Sequence, residues 1–184
     1  MIRRLALLAG ISATVACGGN QLAPAQANNT VDTITMGALS SAALQYPSAF
    51  DITIGQAIRT DQTSSFDFLY DVDSLGRHEF FPLHAIAGLG NPTGNNPGFL
   101  RETTTTFDEI TVAPSDPYQT TDTLVIAPGD LFIARSRAAC YLGVPQYAKI
   151  QVIDFDDVLH TVRLEVLSDT NCGYKNLQPG TPTN

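Results

Sequence analysis

Three histidines, an acidic hairpin turn and three cysteines are the side chains of this 184-residue chain whose types and spacing could do chemistry. His78, His84 and His160 are candidates for haem iron or a transition metal, because neutral imidazole is a common ligand of both. His78 and His84 would share a face of an uninterrupted strand but lie about 20 Å apart at ~3.3 Å per residue, too far to grip one ion unless Pro82 bends the chain. His160 stands beside Asp156-Asp157. All three read as structural or surface histidines before they read as ligands. The spacing Asp71-x-Asp73-x-x-Gly76-x-x-Glu79 offers hard oxygen ligands of the kind calcium takes. Leu75 stands where such a loop carries a third oxygen, and Glu79 follows too soon for an EF-hand, so a solvated turn is the preferred reading. Weak metal candidates are thus His78, His84, His160, Asp71 and Asp73, with no metal site or cofactor assigned. No Gly-x-Ser-x-Gly elbow, His-Glu-x-x-His, phosphate loop or Cys-x-x-Cys pair is present. An enzyme would need a pocket gathering Asp67, Asp71 or Glu79 with a histidine, and the expectation is a protein without catalytic activity.

The elements that must position these residues are β-strands. Thr, Val, Ile and aromatic residues cluster in short runs punctuated by Gly, Pro, Asn and Asp. In 66–72 the alternation puts Phe66, Phe68, Tyr70 and Val72 on one face and Asp67 and Asp71 on the other. Asp73-Ser74-Leu75-Gly76 is then a turn, and 77–83 returns as the second strand. Strands are also expected at 123–127 and 131–137, separated by Pro128-Gly129-Asp130. One short helix is expected at 37–45, before Tyr46-Pro47; a helix of that length depends on tertiary packing. The fold class predicted is all-β, a single antiparallel β-sandwich with at most one short helix.

The N-terminus sets the address. Arg3 and Arg4 precede twelve uncharged residues, Leu5 to Ala16, too few for a membrane-spanning helix of roughly twenty. A positive head, a short apolar middle and small residues at the end describe a secretory signal peptide. Thr14-Val15-Ala16-Cys17 resembles the lipobox of bacterial lipoproteins. That resemblance implies a diacylglyceryl thioether on Cys17, which becomes the new N-terminus and a membrane anchor. Each buried acyl methylene contributes about 0.8 kcal/mol, so several chains would hold the protein firmly. Gly18 follows the cysteine with no aspartate beside it, and by resemblance to enterobacterial lipoproteins this favours the outer over the inner membrane of a bacterial envelope. Residues 1–16 then form the signal peptide, 17–30 a flexible tether, 31–176 the sandwich and 177–184 a frayed tail. Cleavage removes two arginines, leaving eight basic against eighteen acidic residues, a net charge of −10. Such a chain is not drawn to nucleic acid, nor by charge to anionic lipid.

Residues 147–172, YAKIQVIDFDDVLHTVRLEVLSDTNC, predict a hairpin. Ala148, Ile150 and Val152 share one face; Val162, Leu164 and Val166 share the other arm's. Folding about Asp156-Asp157 pairs residues whose numbers sum to about 312, so that Ile150 faces Val162 and Ala148 faces Leu164. The same sum sets Cys140 against Cys172. A register two residues later would set Lys149 opposite Glu165 and keep the cysteines near one another. Two cysteines in an exported chain, brought together in this way, predict a disulfide.

Residues 129–137 (GDLFIARSR), 147–152 and 161–166 look like strands of uncharacterised bacterial lipoproteins, and are similar to the C-terminal strands of HmuY-like haem-binding lipoproteins. The similarity covers about forty residues and implies a β-rich fold. It includes no matched pair of haem-ligating histidines, so it transfers no ligand residue. The loop GLGNPTGNNPG, residues 88–98, cannot bury itself and must be displayed, with Phe99-Leu100 as an adjacent apolar handle. The function expected is a lipid-anchored binding or structural module of the cell envelope with a protein or glycan partner. The alternative is a haem- or metal-binding carrier lipoprotein.

Overall fold

The computed structural model describes residues 22–86, 89 and 96–183. The expected signal peptide and Cys17 lie outside these residues, as does most of the 88–98 loop. In chain order the strands are β1 (Val31–Gly37), β2 (Ala49–Asp51), β3 (Gln56–Ile58), β4 (Phe68–Val72), β5 (His78–Pro82), β6 (Gly98–Glu102), β7 (Leu124–Val125), β8 (Leu131–Arg135), β9 (Tyr147–Asp156) and β10 (Thr161–Asp169). They form two antiparallel five-stranded sheets, β1-β10-β9-β8-β6 and β3-β2-β4-β5-β7, stacked as a β-sandwich.

Alternation supplies the core between them. Phe50, Phe68, Tyr70 and Phe80 from the second sheet meet Phe99, Phe132, Ile150, Val152, Val162, Leu164 and Val166 from the first. Phe99 is therefore not a displayed handle: it is 2% exposed and sits 4.9 Å from Phe68 and 5.4 Å from Phe80, ring centre to ring centre. The outer face of the first sheet is covered too. Phe107, Ile110, Ala113 and Leu177 lie on Leu131, Ile133, Tyr147 and Leu167, so all five residues of β8 are buried. Lys149 is carried into this layer, where its ammonium donates to the carbonyls of Phe107 (2.7 Å) and Ile110 (3.1 Å) and lies over the Phe107 ring. A buried lysine tolerates its burial only with such partners.

The β4–β5 hairpin forms as the alternation predicts, with Tyr70 opposite Phe80 and Val72 opposite His78. Strand β4 and its alternation begin at Phe68, two residues later than expected. Phe66 packs with Ala49 and Leu69 on the outer face of the second sheet, and Asp67 is completely buried. The helix expected at 37–45 does not form. Gly37 ends β1, a single turn closes with the Ala42 amide on the Ala38 carbonyl, and the chain folds back so that Gly37 N–H donates to Pro47 O. Nine residues cannot repay helix nucleation unless one face is buried, and a side chain at 37 would lie 2.6 Å from the Tyr46 Cβ. The described residues carry instead a three-residue 3-10 turn, Leu83–Ala85, and no helix long and apolar enough to cross a membrane.

The β9–β10 hairpin has the expected faces but a different register. From Leu164 to Asp169 partner numbers sum to 316, as in Val166 with Ile150, and from Thr161 to Arg163 to 317. Asp156 moves the turn onward by accepting the amides of Val158 and Leu159, both at 2.9 Å. The step between the two registers leaves Ile153 unpaired, a bulge that exchanges inward and outward positions on β9. Phe155 thereby turns toward the core side, opposite Val162. The ladder ends at Tyr147 with Asp169, so Cys140 and Cys172 lie beyond it, in connecting segments. They are nonetheless bonded, with a Cα separation of 5.6 Å. The pairing holds although the arithmetic that suggested it does not.

The disulfide closes a sequence separation of 32 residues, which on the chain-entropy model stabilises the fold by about 4 kcal/mol. Reduction should lower the unfolding free energy by up to that amount while the domain stays folded, since a core of this size does not depend on one crosslink. Loss of the whole denaturant transition in reductant would contradict this.

Both ends of the domain are more ordered than composition suggests. In the described part of the expected tether, Asn171 Oδ1 accepts the amides of Gln26 and Ala27, and the Tyr174 hydroxyl donates to Ala23 O. In the expected frayed tail, Leu177 is fully buried and the backbones of Asn29 and Gly180 exchange two hydrogen bonds of 2.9 Å. Backbone pairing between the two ends fixes segments that have no apolar periodicity of their own.

Candidate functional site

Three connections meet at one end of the sandwich: 38–47 after β1, 73–77 between β4 and β5, and 157–160 between β9 and β10. Backbone bonds tie the first of them to the 157–160 turn, from Ala38 N–H to His160 O (2.8 Å), and to strand β4, from Leu39 N–H to Tyr70 O (3.0 Å). Ser40 adds its amide and hydroxyl to Asp71 Oδ1. His160 turns the chain with φ of 52°, a conformation more costly for a histidine than for glycine.

His78 ties this end to the body. Its Nδ1 lies 2.7 Å from the Tyr70 hydroxyl and its Nε2 3.2 Å from Asp157 Oδ1. The ring stacks on Phe155 with centroids 3.6 Å apart and planes within 3°, a contact that requires the β9 bulge. The natural proton arrangement has Tyr70 donating to Nδ1 and Nε2–H donating to Asp157. Burial, then the Asp157 and Asp71 carboxylates, raise the Tyr70 hydroxyl above the usual phenol range, so it remains a donor. Both imidazole nitrogens are occupied, which makes His78 a pin for the 157–160 turn.

The remaining sequence candidates are dispersed. His84 sits in the 3-10 turn beyond the other end of β5, and the Nδ1 atoms of His84 and His160 are buried without a partner among the described residues. Asp73 is occupied by the amides of Leu75 and Arg77 and by the Arg77 guanidinium. Asp71 and Glu79 face one another across the β4–β5 ladder, on the side opposite Tyr70 and His78. Asp67 points elsewhere, to Arg137. Among the described residues no three His, Cys, Asp or Glu side chains are grouped to hold a metal.

What this end offers is apolar surface set among carboxylates. Leu44 is 81% exposed, Leu75 78% and Val158 90%, with Leu39 and Leu159 about half exposed. Asp71, Asp73, Asp154, Asp156 and Asp157 lie on or beside the same connections. A cleft of about 620 Å³, lined by Thr35, Tyr46, Phe155, Asp157, Leu159 and Arg163, opens beside the 157–160 turn. Sequence reasoning misses this feature, although it leaves a mark: Asp156-Asp157-Val158-Leu159 puts two aliphatic residues in a tight turn, where polar ones are the rule.

The chain matches no protein-family model, no curated protein and no solved structure.

Proposed function

We propose that this protein is a lipid-anchored binding module of the bacterial cell envelope, without catalytic activity, that grips a protein partner through the 38–47, 73–77 and 157–160 connections. The observation that carries the reading is the exposure of Leu44, Leu75 and Val158 together at one end. Isolated exposed apolar residues need no explanation, whereas several on adjoining loops mark an interaction surface. The exposed apolar side chains there are aliphatic, which suits a protein surface better than a sugar. The anchor is the Cys17 thioether implied by the lipobox. The carrier reading draws no support from His78, whose two nitrogens are engaged by Tyr70 and Asp157.

A photo-crosslinking amino acid at position 158 should give a discrete protein adduct in intact cells, and one at exposed Thr33 should not. Leu44→Asp with Leu75→Asp should weaken the adduct at least about tenfold, as truncation of central anchors does. Equal adducts from positions 158 and 33, or indifference to the two aspartates, would refute the surface. Labelling with a fatty acid should vanish in Cys17→Ser, and label persisting on that variant would refute the anchor.

A further inference from the structure

The opposite end of the sandwich has its own character. Tyr141 is 72% exposed and Leu142 44%, at the tip of the connection between β8 and β9. The disulfide fastens that tip to the segment after β10. Gly173, with φ of +87°, lets the two meet: a Cβ there would come within 2.5 Å of Leu22 and 3.2 Å of Leu142. Leu22, Leu142 and the disulfide thus form one edge, and the edge contains the first described residue of the chain.

The surface immediately around the disulfide is also poor in charge. Segments 22–28, 138–146 and 170–176, which surround the disulfide, contain no Asp or Glu and one cation, Lys175, in a chain with eighteen acidic residues. Of the neighbouring acids, Asp169 is buried and accepts the Asn171 amide, whereas Asp116 pairs with Arg135 at 3.2 Å through a side chain that is itself exposed. The loop end described above holds five aspartates on or beside its three connections, two of them paired with cations, Asp73 with Arg77 and Asp154 with Arg163.

We infer that the disulfide end is a seat for the bilayer surface, with Tyr141 and Leu142 entering the headgroup zone and the loop end facing away. This rests on the proposed Cys17 anchor and adds an orientation to it. Cys17 and Leu22 are five residues apart, a span of at most about 18 Å fully extended. An anchored protein therefore holds this edge near the membrane whatever path the five residues take. A Tyr–Leu pair is suited to that depth, since a tyrosine ring places an apolar body and a polar hydroxyl at the interface. The three segments around the disulfide bring no carboxylate of their own to be repelled by an anionic headgroup layer.

The chain has no tryptophan, so Tyr141→Trp and Val158→Trp each install a single reporter. The full-length variants are produced in a lipoprotein-processing bacterium and reconstituted in phosphatidylethanolamine–phosphatidylglycerol vesicles, with and without bromine on the acyl chains. The indole of Y141W should show blue-shifted emission and at least about twofold quenching by the brominated lipid, as expected for a side chain ~5–10 Å into the boundary. The indole of V158W should emit as in water and stay unquenched. Wild-type protein, oxidised by hydroxyl radicals in the same vesicles, should show Tyr141 protected relative to detergent solution, a readout independent of the substitutions. Mass spectrometry of the N-terminal peptide separates the two possible failures. Protein without lipid at Cys17 overturns the anchor and the seat with it. Lipidated protein in which the Y141W indole is unquenched and the wild-type Tyr141 is unprotected overturns the seat alone. Protection of Tyr141 that persists in detergent does the same, because it indicates a protein neighbour.

Discussion

Asp67→Ala should remove about 3–5 kcal/mol of folding stability, the range found when one member of a buried ion pair is deleted. Asp67 has no exposed surface and binds both sheets at once. Its carboxylate accepts the Ile52 amide just after β2 (2.8 Å) and the Arg137 amide just after β8 (2.7 Å), and pairs with the Arg137 guanidinium at 3.1 Å. Arg137 also holds Asp51 at 2.8 Å. Alanine would leave two amides unsatisfied and half the compensation for Arg137 missing. Burial raises the Asp67 carboxyl from 3.8 to about 6, against the pull of Arg137 and the two amides. The folded state therefore holds that proton more tightly than the unfolded one. The resulting stabilisation is complete below about pH 4 and is lost as pH rises through 6. Relative to Asp67→Asn, the wild type should thus lose up to about 3 kcal/mol between pH 4 and 7. Denaturant unfolding of both proteins across that interval checks the sign, and a wild-type advantage that grows with pH would refute it.

Phe80→Ala should cost about 3–5 kcal/mol. Phe80 is fully buried and central: its ring lies 5.1 Å from Phe68, 5.4 Å from Phe99, 6.0 Å from Phe132 and 6.4 Å from Tyr70, centre to centre. Four neighbours drawn from both sheets cannot all collapse into the space left, because the strands that carry them are held by ladders on either side. Phe80→Leu should cost markedly less, since most of the volume is retained. Equal losses from the two substitutions, measured by denaturant unfolding, would show that the site relaxes freely and that the cluster is not the keystone the distances imply.

The parts of this structure that are legible in the sequence are the local ones. Alternation over Phe68 to Val72 and turn residues at 73–76 suffice to specify the β4–β5 hairpin, because both signals lie within fifteen residues. The β9–β10 faces are legible for the same reason. Their register is not, because the Asp156 carboxylate captures two turn amides and Ile153 bulges, and neither event leaves a trace in hydrophobic periodicity. Asp67 reads as a polar-face residue because nothing near it in sequence announces Arg137, seventy positions on. The layer of 107–113 over β8 escapes notice similarly, since a run of four threonines before Phe107 has no period. As for the candidate site, its acids and His78 stand out in the sequence as possible ligands. The structure instead uses them to fasten loops whose exposed aliphatic tips are the notable surface.

The direction in which β1 joins the first sheet determines how the molecule would bear tension. β1 begins at the disulfide end, with Val31 paired to Leu167, and finishes at the loop end, with Gly37 paired to Thr161. A pull on the N-terminal side opposed by a grip on the 157–160 turn would draw β1 and β10 past each other along their length. The ladder bonds stand perpendicular to that motion, so the seven paired positions would share the load and would have to yield together. The same pull applied at the Gly37 end of β1 would peel them one by one. Under the proposed anchor and partner the domain would therefore be loaded in shear, the stronger of the two loading geometries for a β-ladder.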